Sequence, residues 1–399
     1  MRAKERNEPK IGKNAQKTGS GIVLIYESEK KPVFFRKEYL HYFGKCCIFE
    51  MRKRLSKELT EVTSLKDIAA ACGVSVATVS KALNGAPDIG EETRQRIREK
   101  AEELGYMTNA SARALKTKRT YNIGVLFVDP MHGGLAHEFF STVLDGIRAE
   151  AERSGYDITF INCNIGSQPT SYLQHCLYRG VDGVVIASAD FKDPMVLELV
   201  NSSLPVVTLD HVFNDHISVV SDNIRGMEEL VRYAASRGHR KLAIIHGEKT
   251  SVTLNRLAGF HRTCEELGIP VREEWVRESA YHDPRGCYRV TKEILEGKER
   301  PSCIIFPDDY SFVGGYNAIM EAGLRVPEDI SAMGYDGIPL SRIMHPVLTT
   351  WRQDTTGLGR TAAEKLIGLI ERPKTAIFDR IVVKGQLQEG GTVAQIETV

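Results

Sequence analysis

Residues 64–115 read SLKDIAAACGVSVATVSKALNGAPDIGEETRQRIREKAEELGYMTNASARAL. Ser64 stands where an N-cap is wanted, ahead of a short helical pattern over Leu65–Ala71. Ile68, Ala69 and Cys72 share its inward side, and Gly73 then supplies a left-handed turn that glycine adopts at little cost. Ser75 can cap a second helix, VATVSKALN, in which Val79 and Leu83 lie four apart on one face. After Asp88–Gly90 comes EETRQRIREKAEELGY, a longer helix with Ile97, Ala101 and Leu104 at helical spacing. Glu91 and Glu92 sit at its positive end, and Gly105 closes it as a C-cap. Helix, tight turn, helix is the layout of a DNA-binding unit. An ordinary helical lobe has the same core pattern, but it does not call for the small, polar face that begins at Val76.

The rest of the chain sets bounds on this reading. At 399 residues, with 42% hydrophobic and 26% charged side chains, the protein is expected to hold two or three packed domains. A formal net charge of +1 excludes a uniformly basic nucleic-acid coat, so DNA contact must come from local charge. No apolar run approaches the ~18 residues of a membrane span. The N-terminus lacks an apolar core with a small-residue cleavage site, so a cytoplasmic location is expected. The eight cysteines show no metal-ligand spacing, which suits a reducing compartment, and neither metal nor cofactor is expected. Residues 1–61 form an extension, basic at its start. It is read as a poorly ordered arm or as a segment upstream of the true start, with Ile22–Tyr26 and Pro32–Phe35 as apolar runs that have nothing to pair with.

KDIAAACGVSVATVSKALNG, EETRQRI and AEELGYMTNASARALKTKRTYNIGV, in this order and spacing, resemble the LacI/GalR family of bacterial transcriptional regulators. The resemblance extends over nearly all of residues 62–390. It implies a helix-turn-helix head at residues 62–108 in which Ser75 starts the recognition helix. Val76 and Ala77 take its leading base-reading positions, and Thr78, Ser80, Lys81 and Asn84 contact phosphates or base edges. Small apolar side chains can meet a thymine methyl but cannot donate to guanine, whereas Lys81 is a flexible point charge. The resemblance further implies a hinge helix within residues 109–120, beginning at Asn109. In it Leu115 wedges the minor groove and Ala112 flanks it. So short a helix is unstable alone in water.

From Tyr121 onward, short apolar strands alternate with amphipathic helices: NIGVLFVDP, VDGVVIAS, LPVVTLD and ISVVSDN, then KLAIIHG, PSCIIFPDD and ISAMGYDG. That alternation implies parallel sheets, and its restart near Gly238 implies two similar lobes. The expected fold class is an all-α helix-turn-helix head plus an α/β two-lobe, periplasmic-binding-protein-like sensor over residues 121–390. Lobe 1 would take residues 121–220 and 352–381, lobe 2 residues 221–351 and 382–390, with crossings near Ser221, Trp351 and Ile381. Residues 391–399 are read as a tail. Ligands of open α/β sheets bind at the carboxyl ends of the strands, where Asp129, Asp210, Asp308, Asp309 and Asp336 lie. Effector binding at Arg256, Asp308 and Asp336 is implied by the resemblance. Asp129, Asp210 and Phe139, the last as a stacking face, complete the candidate set, and Asp309 is read as a helix N-cap. The loop holding His132 and His137 looks longer than the family's.

These readings lead to a homodimeric repressor of near-palindromic double-stranded DNA, controlled by a small molecule, a sugar, in the lobe cleft. A non-sugar effector or a protein partner is the alternative control. A transport-type solute-binding protein also fits two lobes, but neither the head nor the missing export signal suits it. No G-x-G-x-x-G follows the first strand, and no nucleophile, base and orienting group come together, so an enzyme is not expected.

Overall fold

A computed structural model of the chain describes residues 63–83, 85–106, 114, 117–129 and 134–397, and the backbone of three short strands nearer the N-terminus. Those strands, β1 (Asn14–Lys17), β2 (Val23–Tyr26) and β3 (Pro32–Phe35), form an antiparallel sheet in the order β1-β2-β3. The two apolar runs read as unpaired therefore pair with each other, Val23 opposite Phe35. A hairpin lets neighbouring extended segments exchange backbone hydrogen bonds whatever their side chains do. The remainder of the extension lies outside the described residues. The chain divides into two compact units, residues 1–109 and 110–399.

The head consists of α1 (Leu65–Cys72), α2 (Val76–Leu83) and α3 (Glu91–Glu103). Its core is Ile68, Ala69, Val79, Ala82, Ile97 and Ala101, with Cys72 and Leu83 packed at its edge. Gly73 turns the chain at φ +64°, in the left-handed region that favours glycine. The Ser75 hydroxyl accepts from the Thr78 N–H at 3.0 Å, satisfying one of the open donors at the start of α2. Leu104, read as a core position, is exposed: it is the cap residue of α3, where the chain already swings away toward Gly105 at φ +62°.

The second unit contains two six-stranded sheets. Lobe 1 holds β4 (Asn122–Phe127), β5 (Asp157–Ile161), β8 (Gly183–Ser188), β9 (Val206–Leu209), β10 (Ile217–Ser221) and β16 (Arg380–Val383), all parallel, in the order β16-β10-β9-β8-β4-β5. A small hairpin, β6 (Asn164–Ile165) and β7 (Gln168–Pro169), lies outside that sheet. Its helices are α4 (Glu138–Arg153), α5 (Tyr172–Arg179), α6 (Pro194–Val200) and the late α12 (Thr355–Glu371). Lobe 2 holds β11 (Leu242–His246), β12 (Val276–Glu278), β13 (Cys303–Ile305), β14 (Ser331–Asp336), β15 (Thr349–Arg352) and β17 (Gln386–Gln388) in the order β12-β11-β13-β14-β15-β17, with β17 alone antiparallel. Around it pack α7 (Asn223–Ser236), α8 (Ser251–Glu266), α9 (Pro284–Leu295), α10 (Asp309–Glu321) and α11 (Pro339–Ile343).

The chain passes between lobes after β10, after β15 and after β16. Ser221, Val382 and Val383, assigned above to lobe 2, belong to lobe 1, where Val382 and Val383 complete β16 beside Val220 and Ser221 of β10, and Arg352, assigned to lobe 1, ends β15 of lobe 2, because each strand runs to the end of its neighbour's ladder. The expected free tail is also corrected. Val393 is buried in the lobe 2 core, and the Thr392 hydroxyl accepts from Thr349 N–H and donates to the Ala332 carbonyl. In lobe 1, α4 and α12 approach so closely that a Cβ on Gly359 would lie 1.9 Å from the Val143 carbonyl oxygen. Among the described residues no helix is long and apolar enough to cross a membrane.

Candidate functional site

The head presents one face for a groove. On α2, Val79 is buried while Ala77 is exposed and Val76 is 40% exposed; Ser75, just ahead of the helix, is also exposed, and Thr78 and Ser80 are half-buried. The Thr78 and Ser75 hydroxyls lie 2.8 Å apart, so Thr78 is partly engaged in the cap. Lys81 is not the free point charge expected from sequence: its Nζ pairs with the Asp88 carboxylate. Both partners are exposed, and such a pair holds weakly, so a phosphate can compete for the lysine. Asn84, Asn109, Ala112 and Leu115 lie outside the described residues.

Between the lobes the predicted acidic residues and the arginine do converge. Arg256, buried on α8, donates from Nε to the Asn223 side-chain oxygen at 2.9 Å and from one terminal nitrogen to the Pro307 carbonyl at 2.7 Å. Its other terminal nitrogen lies 3.8 Å from Asp336 Oδ1, and the guanidinium sits 3.5 Å above the Tyr335 ring. Burial opposes its charge, but Tyr281, Tyr335, Asp336 and Asp210 together outweigh that and keep it protonated. Asp336, at the end of β14, accepts from Gln353 Nε2 at 2.7 Å. Burial pushes its carboxyl up to about 6, against the pull of Arg256. Asp210 follows β9 and accepts from Ser221 N–H at 2.7 Å; burial raises its carboxyl too.

Asp308, not Asp309, is the N-cap of α10. Its carboxylate accepts from the N–H and hydroxyl of Ser311 and from the His282 N–H at 2.7–2.9 Å. Asp309 points into the core instead, accepting from Ile338 N–H at 2.9 Å and the Thr350 hydroxyl at 2.6 Å. The inversion follows from backbone geometry: Asp308 is the last extended residue, so only its side chain can fold back over the first turn. Asp129 accepts from Gly134 N–H at 2.9 Å. Phe139 is mostly a lobe 1 core residue, yet it also walls a space of about 570 Å³ that both lobes line, with Asp336, Gln353 and Lys384. Trp351 is buried in lobe 2 and takes no part.

Two cleft residues escaped the sequence reading. His282 follows β12, touches Asp308 through its backbone, and holds Nε2 4.0 Å from Asp336 Oδ2. Gln353 links Asp336 to the Ser221 hydroxyl at the crossings. The signal for His282 was present, since it lies in a polar loop after a strand. Backbone strain marks the same place: Asp210, His282 and Asp336 all have positive φ, at 51°, 54° and 102°. Such non-glycine outliers cost energy and gather at ligand clamps. Among the described residues, no group of three or more His, Cys, Asp or Glu side chains could hold a metal ion.

Comparison with known proteins bears on both units. Residues 64–109 match the family described as bacterial regulatory proteins, lacI family, and residues 120–385 match periplasmic binding proteins and sugar binding domain of LacI family. The chain belongs to the LacI family. It is 32% identical to the ribose operon repressor of Haemophilus influenzae, over 78% of this chain and 93% of that one. It is also 32% identical to the transcriptional repressor PurR of Pectobacterium carotovorum, over 77% of this chain and 91% of that one. Among solved structures, a lac repressor dimer bound to operator and an anti-inducer superposes with a TM-score of 0.69 at 26% identity, covering 84% of this chain and all of that one. The protein is thus a DNA-binding transcriptional repressor of the LacI family, with a helical head and a two-lobe α/β sensor.

Proposed function

We propose that the protein is a cytoplasmic homodimeric repressor whose affinity for a near-palindromic operator is set by a sugar in the cleft. The observation that carries the sugar reading is a mixture of acceptors and donors in one cleft. Asp129, Asp210, Asp308 and Asp336 bring four carboxyl groups together with the donors of Arg256 and Gln353, and Arg342, Arg352 and Lys384 line the space beside Asp336. Hydroxyls donate to carboxylates and accept from a guanidinium, so a polyol satisfies both sides. The Tyr310 and His282 rings, 5.7 Å apart and nearly parallel, add flat surfaces. The likeness to a ribose operon repressor supports the same reading.

The likeness to an operator-bound lac repressor dimer supports two copies placing their α2 helices in successive major grooves. Residues 109–116 would then pair as hinge helices, with Leu115 entering the minor groove. A change in lobe angle would couple the cleft to this hinge by ~1–3 kcal/mol.

Thermal denaturation of the full-length protein with a panel of mono- and disaccharides tests the effector reading, because a ligand of the native state raises the melting temperature. One or more neutral sugars are expected to raise it. A panel that leaves it unmoved, while a purine base raises it, would sink the sugar reading.

A further inference from the structure

His137 and His282 come from different lobes and touch across the cleft. His137 precedes α4 in lobe 1 and His282 follows β12 in lobe 2, yet their ring centroids are 3.5 Å apart. Phe140 lies edge-on to His137 at 4.8 Å, and Tyr310 stacks against His282. We propose that this imidazole pair is a latch that holds the cleft closed while His137 is uncharged and lets the lobes part when His137 takes a proton. Its purpose rests on reading the cleft as the effector site; the contact itself needs no ligand.

Three features of the closed arrangement disfavour a proton on His137. His282 is too close for both rings to be charged. The Nδ1 lone pair accepts from the Phe140 N–H at 3.4 Å, making His137 the N-cap of α4, and protonation would remove that acceptor. The ring also sits at the positive end of the α4 dipole, where a cation is unwelcome. Against these stand Asp129 from the same lobe and Asp308 from the other, which both favour the cation. Asp336 faces His282, Arg256 offsets Asp336, and Glu138 beside the latch is exposed.

The balance leaves His137 pushed down to about 4, burial first and His282 second. With the lobes apart the ring would regain water and its ordinary value of 6.5. At this group the open form then binds more protons between these limits, so the contribution of His137 to closure is fully present above 6.5 and lost as pH falls toward 4. Burial is the first cause that raises Asp336 and Asp210, so water entering on opening would lower both carboxyls and act against the histidine; the His137 signal itself therefore reports the latch.

The test is a histidine NMR titration of the ligand-free, full-length protein carrying 13C-labelled histidine, with the His137 signal assigned by its loss in His137→Gln. In the wild type this signal should titrate more than one pH unit below an ordinary histidine. In His282→Gln it should move up by a pH unit or more. His282→Phe, which keeps a ring in place, should move it up by less. A wild-type His137 titrating as an ordinary histidine, or one that does not respond to His282→Gln, overturns the latch. A sugar panel without a binder leaves this result readable, because no ligand enters it.

Discussion

Asp309 shows how much one carboxyl can depend on its neighbours. It is fully buried, it accepts from Ile338 N–H and the Thr350 hydroxyl, and burial with Asp336 nearby raises it well above its ordinary 3.8. The folded state therefore holds this proton more tightly than the unfolded chain. No penalty applies below the unfolded value. Above it the penalty grows with pH until the buried group also ionises. Asn fits the same site, its oxygen toward Ile338 and its amide toward the Thr350 hydroxyl. Asp309→Asn should therefore flatten the fall in melting temperature as pH rises above the unfolded carboxyl value and match or exceed the wild type at the upper end. A steeper fall in the variant, measured by scanning calorimetry, would show that the ionised carboxylate is needed. At this scale the sequence was partly legible. Residue types at strand ends pointed to Asp210 and Asp336, because ligands of such sheets gather there, whereas Arg256, on a helix, came only from the family resemblance. Which of Asp308 and Asp309 caps α10 depends on a single backbone angle, and the strained φ of His282 has no signature in its side chain.

The elements were more legible, because periodicity and caps act locally. Ser64, Gly73 and Ser75 mark the borders of α1 and α2 where the structure has them. Gly73 needs its left-handed φ of +64°, but a Cβ there would meet nothing within 4 Å. Gly73→Ala should thus cost only backbone strain, ~1–2 kcal/mol, seen as lower head stability in urea. Gly90, at φ −61° and equally open, is the N-cap of α3, where glycine outranks alanine, so Gly90→Ala should cost less than the Gly73 change, ~0.5 kcal/mol. Equal effects at the two positions would contradict this assignment. Gly359 is the opposite case: its φ is unremarkable, but an added Cβ would strike the Val143 carbonyl, so α4 and α12 must separate. Gly359→Ala should destabilise lobe 1 by ~1–3 kcal/mol or more in calorimetry. That close approach could not be read from sequence, since it involves residues over two hundred positions apart. The pairing of β2 with β3 was missed for a different reason: each run is very short, and neither carries a sign of its partner.

In the whole molecule, two lobes joined by three crossings form the element able to carry a signal, and the crossings themselves carry cleft residues. Ser221 and Gln353 are hydrogen-bonded to each other at these passages, and Gln353 also holds Asp336. A ligand on Asp336 is therefore one residue away from the crossings. This is the physical ground for expecting ligand binding and lobe angle to be linked. This linkage is expected to reach the DNA. It is tested by selecting a binding site from random duplex DNA and measuring the affinity of the full-length protein for it, by fluorescence anisotropy at fixed salt. The measurement is made with and without a saturating amount of whichever sugar raises the melting temperature. Operator affinity should change at least about fivefold, in either direction. An operator affinity identical with and without that bound sugar would show that the cleft does not control DNA binding.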